Sequence, residues 1–296
     1  MPTTSDKVAL WFSVISCSLT GLLAVYAFVF VMRFSKFRWV QFMIFLCIIQ
    51  NFDTALVAIG VYWEVTSFHQ EHEPFLAYFC GITIFLFYFV SNTIYWLFGL
   101  KYWVISIEIP HLLKKQRERE ANEAKGIVDK SEQKPGRVCS ETTYNVIMWV
   151  GILVNLGACA WTGVVRGKVD YTSTYGPAPG PISKRLMQLF VLVTFLLCIS
   201  AVFLADALRR LKRSLSQDNK LVVNQKTMCL HVTTLTIHTV ILVVVQYITV
   251  YTFVHPSNKD DFILNMSRIV LFGSQCITQV IVIFLFVQFS KPQSLA

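Results

Sequence analysis

The chain contains 296 residues, of which 55% are hydrophobic and 15% are charged, and its formal net charge is +9. Soluble globular domains carry about 25% charged and about 45–50% apolar residues, so this composition excludes an ordinary soluble domain and favours an integral membrane protein. The positive charge does not indicate nucleic-acid binding, because Lys and Arg are concentrated between the apolar runs, where they set membrane topology.

Seven apolar runs are each long enough to cross the hydrocarbon core of a lipid bilayer, which takes about 20 helical residues. They cover residues 8–32, 39–63, 75–100, 144–165, 186–208, 227–254 and 262–289. The first run is longer than the apolar region of a signal peptide, about 7–15 residues, and the preceding MPTTSDK lacks a basic n-region, so we expect this run to stay as a span. The pattern predicts an all-α bundle of seven transmembrane helices, forming one domain over residues 1–296.

The connecting segments on the two sides of the predicted bundle differ in basic charge. One side carries 19 Lys and Arg residues and the other carries 6. Because cytoplasmic loops are enriched in Lys and Arg, this bias predicts that the amino terminus faces outward or into a lumen and that the carboxyl terminus is cytoplasmic. We expect a multi-pass protein of the plasma membrane or of an internal membrane, between which the sequence does not distinguish.

Two connecting segments have distinctive compositions. Residues 101–142 form a charged cytoplasmic loop, which is predicted to extend the third helix and then to end in the linker KSEQKPG. Between the fourth and fifth helices, the segment GKVDYTSTYGPAPGPIS is rich in Gly and Pro and is predicted to lack regular structure. All nine prolines fall outside the apolar runs or at their ends, which predicts straight helices.

The second apolar run contains a carboxylate, in the stretch CIIQNFDTALVAIG. On a helical wheel, Gln50, Asn51, Asp53 and Thr54 share one side of this helix, while large apolar residues occupy the other. An ionised Asp at the bilayer centre costs about 2.5–3.5 kcal/mol on insertion scales, so Asp53 needs a partner, a hydrated cavity or a proton. The pattern predicts that this polar side faces the interior of the bundle.

Three other helices also concentrate polar residues on one side, which indicates a hydrated or hydrogen-bonded interior. These residues are Tyr88, Ser91, Asn92, Tyr95 and Gly99 in the third helix, Thr227, His231, Thr234 and His238 in the sixth, and Asn265, Arg268, Gln275 and Gln279 in the seventh. Such amides and hydroxyls also serve simply to hold helices together, and that alternative stays open. The candidate residues for ligand binding or for a polar core are Gln50, Asn51, Asp53, Asn92, His238, Arg268 and Gln275.

Depth along the helices identifies a candidate partner for Asp53. This residue lies about 15 Å from the outer end of the second helix, and Arg268 lies about 9 Å from the outer end of the seventh. A long Arg side chain can span the difference, so we predict an Asp53–Arg268 ion pair, either direct or bridged by a neighbouring amide. In the alternative, Arg268 extends to the membrane surface while Asp53 stays protonated among the amides.

No sequence pattern indicates catalysis or a metal centre. The chain has no GxSxG, HExxH or Walker motif, and none of its eight cysteines forms a CxxC pair. His231 and His238 are seven residues apart, or about 10.5 Å along one helix, which is too far for both to bind one zinc ion. We therefore expect no enzymatic activity, no metal and no cofactor.

A basic cluster, RRLKR, follows the fifth apolar run directly. It places Arg209, Arg210, Lys212 and Arg213 at the predicted cytoplasmic surface. Such a cluster acts as a topology signal, and it also attracts anionic lipids, at about 1 kcal/mol per basic residue. Both interpretations stay open.

Seven helices, an outward amino terminus, short outer loops and a basic cytoplasmic side resemble the architecture of G-protein-coupled receptors. The resemblance is one of topology, because the third helix ends in LKYW and the seventh contains SQCITQ, where such receptors usually carry D/E-R-Y and NPxxY. It implies a receptor-like sensor that binds a small ligand in the bundle and signals to a cytoplasmic protein through the basic loops. The alternatives are a transporter or channel for a small solute or proton, since seven-helix sugar carriers have a similar length and orientation, and a membrane scaffold without a ligand.

Overall fold

The computed structural model describes residues 4–34, 38–64, 73–124, 140–173, 180–217, 222–254 and 260–290. Within these ranges the chain forms seven α-helices and no strand. The helices are α1 (Thr4–Phe34), α2 (Arg38–Glu64), α3 (Glu73–Ala124), α4 (Glu141–Ser173), α5 (Gly180–Gln217), α6 (Val222–Val254) and α7 (Asp260–Ser290). Each predicted apolar run lies within one of these helices, and all seven helices are long and apolar enough to cross a membrane. The all-α, seven-helix fold is therefore confirmed.

Six of the helices form a closed ring. Around it, α1 contacts α2, α2 contacts α3, α3 contacts α5, α5 contacts α6, α6 contacts α7, and α7 returns to α1. The remaining helix, α4, packs outside the ring against α3 and α5. Across the interior, α2 also contacts α7 and α3 contacts α6. This arrangement brings the polar sides of α2, α3 and α7 together.

Glycine allows α3 to approach two of its neighbours closely. A Cβ atom added at Gly163 of α4 would lie 2.6 Å from the carbonyl oxygen of Gly81 in α3. A Cβ atom added at Gly99 of α3 would lie 3.1 Å from the carbonyl oxygen of Ser200 in α5. The backbones therefore come into near contact at both crossings, as is common where helices pack in membranes.

The outer surface of the bundle is apolar. Trp11 and Leu19 on α1, Trp149 and Leu153 on α4, and Phe284 on α7 are each more than half exposed. Apolar patches of this extent mark contact with a partner or a membrane, and helices satisfy their own backbone hydrogen bonds within lipid. The surface is therefore that of a multi-pass helical bundle in a lipid bilayer.

Two predicted connecting segments are helical over part of their length. The third helix continues to Ala124, as predicted for the charged segment, whereas KSEQKPG lies outside the described residues. The prediction that the segment between the fourth and fifth helices lacks regular structure is wrong for residues 167–173 and 180–183, which belong to α4 and α5. The first part, GKVDYTS, contains no Pro, and Pro181 lies in the first turn of α5, where its missing N–H costs no helical hydrogen bond.

Candidate functional site

The polar side of α2 faces the interior of the bundle, as predicted. Gln50, Asn51 and Asp53 are 1%, 0% and 3% exposed, whereas Phe52 and Leu56 on the opposite side are 41% and 42% exposed. Because α2 contacts α1, α3 and α7, its buried residues can meet side chains from three neighbouring helices. The helix therefore has one surface for lipid and one for the interior.

A group of buried polar side chains joins α2, α3 and α7. Gln50 Nε2 donates a hydrogen bond to the Ser91 hydroxyl over 2.9 Å, and Gln50 Oε1 accepts one from Gln279 Nε2. Gln279 Oε1 in turn accepts a hydrogen bond from Asn51 Nδ2. We call Gln50, Asn51, Ser91 and Gln279 the amide layer. Because both polar atoms of Gln50 and of Gln279 are hydrogen-bonded, these side chains hold three helices in fixed relative positions.

A second contact supports the α2–α7 interface beside the amide layer. Gln275 Nε2 donates a hydrogen bond to the Thr54 hydroxyl over 3.1 Å, and that hydroxyl donates to the carbonyl oxygen of Gln50 over 2.6 Å. Both side chains are buried. The structure thus brings three of the predicted site residues, Gln50, Asn51 and Gln275, into one hydrogen-bonded interface.

Asp53 lies in a different environment, although it belongs to the same side of α2. Neither of its carboxylate oxygens has a hydrogen-bond partner among the described residues. The predicted direct Asp53–Arg268 ion pair is wrong, because neither oxygen of Asp53 accepts a hydrogen bond from Arg268, whose Nη1 donates to Asn265 Oδ1 over 3.3 Å. A bridge through a neighbouring amide is not formed either, since it would require an oxygen of Asp53 to accept a hydrogen bond. The carboxylate of Asp53 is therefore buried without a hydrogen bond.

Arg268 belongs to a polar group near the first turns of α1 and α7. Asn265 Nδ2 donates a hydrogen bond to Asp6 Oδ1 over 2.6 Å, while Asn265 Oδ1 accepts the bond from Arg268. The buried amide of Asn265 thus bridges an acid on α1 and a base on α7. Asp6 could not be predicted as a site residue, because a carboxylate near the start of a span carries no signal of which helix it will contact.

These three residues line a pocket between α1, α2 and α7. Its cavity volume is about 40 Å³, and the empty space including its opening is about 390 Å³. The lining residues are Asp6, Ala9, Leu10, Ser13, Val57, Ala58, Tyr62, Asn265, Arg268 and Phe272. The pocket combines one acid, one base and one amide with mainly apolar walls, which is the usual composition of a small-molecule site.

The deepest lining residues of the pocket are apolar on α2 and α7, whereas on α1 the deepest is Ser13. Val57 is one turn from Asp53, or about 6 Å along α2. Phe272 is 4% exposed, and the ring of Phe87 from α3 meets it edge-on with 6.5 Å between the ring centroids. Apolar side chains of α2 and α7 therefore line the inner end of the pocket, on the side of Asp53 and the amide layer.

His238, another predicted site residue, lies outside this pocket. Its Nδ1 atom is 2.7 Å from the Ser274 hydroxyl of α7, and its ring centroid is 5.5 Å from that of Tyr95 on α3. His231 instead forms a hydrogen bond with the Tyr102 hydroxyl. The two histidines thus have separate partners, and each connects α6 to a neighbouring helix.

Asn92 faces α4 and not the pocket. Its Nδ2 atom donates a hydrogen bond to Asn155 Oδ1 over 3.2 Å. Asn155 Nδ2 donates in return to the Thr93 hydroxyl over 2.9 Å and to the Phe89 carbonyl oxygen over 3.0 Å. Asn155 is not among the predicted site residues, although a single amide in an otherwise apolar span is itself a signal of an interhelical hydrogen bond.

The basic cluster at the end of α5 is exposed. Arg210 Nε donates to Asp206 Oδ2 over 2.7 Å, and the same oxygen accepts a hydrogen bond from Trp103 Nε1 of α3 over 3.1 Å. Arg210 is therefore paired within α5 with the carboxylate that Trp103 of α3 also contacts.

Comparison with known proteins identifies no relative. No protein-family model matches the chain, and no curated protein or solved structure is significantly similar to it. The similarity to G-protein-coupled receptors is accordingly limited to seven helices long and apolar enough to span a membrane. Any function has to be argued from the geometry of the site.

Proposed function

We propose that this protein is a receptor-like, non-enzymatic sensor that binds a small ligand in the pocket between α1, α2 and α7. In the predicted orientation this pocket opens toward the outside or the lumen. Its occupancy would be transmitted along the bundle to the basic ends of α3 and α5. The partners there would be a cytoplasmic signalling protein or anionic lipid, which attracts basic residues at about 1 kcal/mol each.

The observation that carries the proposal is the composition of the pocket. Asp6, Asn265 and Arg268 supply polar groups at one end of the bundle, and the remaining walls are mainly apolar. Ligand sites typically combine apolar walls with a few polar groups that fix the orientation of the ligand. A membrane scaffold without a ligand would not need half-buried charges in a pocket.

The packing beneath the pocket favours a sensor over a transporter. A transporter needs a cavity that can open to both sides of the membrane, whereas a sensor needs one that is closed inward. Below Phe272, α7 contributes Gln279 to the amide layer, where both of its polar atoms are hydrogen-bonded. Opening a path would break these buried hydrogen bonds, each of which contributes about 0.6–2 kcal/mol within a membrane.

The same helices offer a route for the signal. Arg268 and Gln279 lie three turns apart on α7, so a ligand that moves Arg268 also shifts the contacts of α7 with α2. The amide layer passes this shift to α3 through Ser91. At the other end, Trp103 of α3 is hydrogen-bonded to Asp206 beside the basic cluster. The proposed signal thus follows α7, α2 and α3.

One observation favours a transporter of a small solute or proton as a second candidate. Asp53 is a buried carboxylate, one turn beneath the pocket, that has no hydrogen-bond partner in the described part of the chain. Ionisable residues in such positions often belong to ion or proton pathways. In this alternative the apolar side chains of Val57 and Phe272 would have to move apart during each transport cycle.

A ligand screen with a reporter at the far end tests the proposal. The purified protein carries an environment-sensitive fluorophore on Arg213→Cys, and amino acids, carboxylates, amines and sugars are added in turn. We expect one class to raise the melting temperature and to change the fluorescence, and Arg268→Gln to abolish both effects. Lys7→Gln is the matched control, because it removes a positive charge near the same end without lining the pocket.

Two results would contradict the sensor function. The first is a ligand that binds in the pocket without any change at the reporter. The second is accumulation of that ligand inside proteoliposomes, which would identify a transporter.

A further inference from the structure

We propose that the ligand of this pocket is a small zwitterion that carries a carboxylate and an ammonium group, as a free amino acid does. This inference rests on the proposed ligand-binding function and names the class of ligand. The same pocket holds a cationic side chain from α7 and an anionic side chain from α1, which no single-charge ligand would match.

The two charged side chains are held on either side of one buried amide. Asn265 is 3% exposed, and it contacts Asp6 Oδ1 over 2.6 Å and Arg268 Nη1 over 3.3 Å. Its hydrogen bonds fix the carboxylate on α1 and the guanidinium on α7 at the two ends of the same short bridge. A ligand between these helices therefore meets opposite charges a few bonds apart.

The chemistry of each side chain determines what it can recognise. A guanidinium group has five N–H donors in a planar fork, so Arg268 can keep its bond to Asn265 and still bind a carboxylate. The carboxylate of Asp6 has several acceptor sites, and it can accept from an ammonium group while Asn265 donates to it. Bonds in which both partners are charged are about twice as strong as neutral ones.

Charge balance excludes simpler ligands. Among the described lining residues one is acidic and one is basic, so their formal charges cancel. A ligand with only a carboxylate would bring an excess negative charge beside Asp6, and a ligand with only an amine would bring an excess positive charge beside Arg268. Both charges are half-buried, and like-charge repulsion is stronger there than in bulk water. A zwitterion satisfies both side chains without adding net charge.

The size of the pocket limits the rest of the ligand. The cavity volume of about 40 Å³ holds roughly three waters, since one ordered water needs about 10–15 Å³. The carboxylate, Cα and ammonium group of an amino acid would therefore fill this space and reach into its opening, which leaves room for only a very short side chain. Ala9, Val57 and Ala58 supply an apolar wall for that side chain. Glycine or alanine fits these dimensions, and an aromatic amino acid does not.

A matched set of three compounds tests this inference. Propionate is L-alanine without its ammonium group, and ethylamine is L-alanine without its carboxylate. Binding to the full-length protein in nanodiscs is measured by calorimetry and by the shift in melting temperature. We expect L-alanine to bind and the other two to bind about tenfold or more weakly, which is the effect of losing one charge-assisted hydrogen bond.

Two variants connect the binding to the proposed residues. Arg268→Gln is expected to weaken L-alanine binding about tenfold or more, while the control Lys7→Gln leaves it unchanged. The melting temperature of each variant without ligand shows whether it is folded. Retained binding of L-alanine by folded Arg268→Gln would overturn the inference.

The outcomes separate this inference from the sensor function. The proposal of a zwitterionic ligand is wrong if propionate or ethylamine binds as tightly as L-alanine, or if none of the three compounds binds. In either case the wider ligand screen still decides whether the pocket is a sensor site. If L-alanine binds and also accumulates in proteoliposomes, the zwitterion stands and the sensor function fails.

Discussion

Gln50 and Asp53 lie about one turn apart on α2 and are both buried, yet their surroundings differ. Both polar atoms of Gln50 are hydrogen-bonded to side chains of α3 and α7. Neither oxygen of Asp53 has such a bond among the described residues. Buried polar groups are normally hydrogen-bonded, so Gln50 has the environment of a residue that stabilises the fold, and Asp53 does not.

This difference separates two uses of polar residues within a membrane span. Satisfied amides join helices, at about 0.6–2 kcal/mol per contact. An unsatisfied ionisable side chain costs stability, and a protein carries it because a function requires it. The two uses predict effects of opposite sign on the free energy of unfolding when the side chains are replaced.

Replacing Gln279 by Leu would leave polar atoms of the amide layer buried without hydrogen bonds, as the carboxylate oxygens of Asp53 are. Gln50 Oε1 would lose its partner, and Asn51 Nδ2 would lose one of two. An unsatisfied buried polar group costs about 1–3 kcal/mol, so we expect the free energy of unfolding to fall by about 2–4 kcal/mol. Unfolding in detergent measures this value.

The control is Val280→Leu, a lipid-facing change on the next residue that should cost less than about 0.5 kcal/mol. Equal losses of unfolding free energy in the two variants would contradict the stabilising role of the amide layer.

Replacing Asp53 by Asn removes the charge and keeps the shape of the side chain. Because the carboxylate has no hydrogen bond to lose, we expect the free energy of unfolding to rise by about 1–3 kcal/mol, as relief of the cost of a buried charge. Asp6→Asn is the matched comparison and should lower stability, since Asn265 would lose a charged acceptor. Destabilisation by Asp53→Asn would indicate that the carboxylate has a structural partner after all.

Asn155 extends the comparison to the helix outside the ring. Its side chain bonds Asn92, Thr93 and the backbone of Phe89, so Asn155→Val should release α4 from α3. At about 0.6 kcal/mol per bond, the expected loss of stability is about 1–2 kcal/mol. Val154→Leu, a change at the neighbouring lipid-facing position, should leave the unfolding midpoint in place. An unchanged midpoint for Asn155→Val would show that apolar contacts alone hold α4.

The smallest expected effect is the coupling between Asp53 and Arg268. Since Arg268 binds Asn265 and not Asp53, the changes in unfolding free energy for Asp53→Asn and Arg268→Gln should add in the double variant to within about 0.5 kcal/mol. A double-variant cycle in detergent measures this sum. Recovery of stability in the double variant would instead establish the ion pair that depth along the helices predicts.

The fold and the interior side of α2 could be predicted because both depend on local properties. Seven apolar runs determine seven spans, and the 3.6-residue period separates Gln50 and Asn51 from Phe52. The same period marks Gln279 as a polar residue of α7. The contact of Gln279 with both Gln50 and Asn51 could not be predicted, because it depends on the rotation and depth of α7 relative to α2.

The partners of the charged residues could not be predicted from local properties of the sequence. Depth alone favoured Asp53 as the partner of Arg268, yet Asn265 lies one turn away on the same helix and Asp6 lies across from it on α1. A nearby amide on the same helix is reached without spanning the bundle. The pocket itself could not be predicted, because it arises where three helices meet.

Thiol labelling from each side of the membrane tests most directly whether the pocket opens at one end only. Ala58→Cys places a thiol in the pocket wall, Leu56→Cys places one toward lipid, and wild-type protein gives the background of its native cysteines. In vesicles of known orientation, a charged, membrane-impermeant reagent should label Ala58→Cys only from the side of the amino terminus. L-Alanine should slow that reaction, and Leu56→Cys should stay unlabelled. Labelling of Ala58→Cys from the side of the carboxyl terminus would reveal a path through the amide layer and contradict the sensor function.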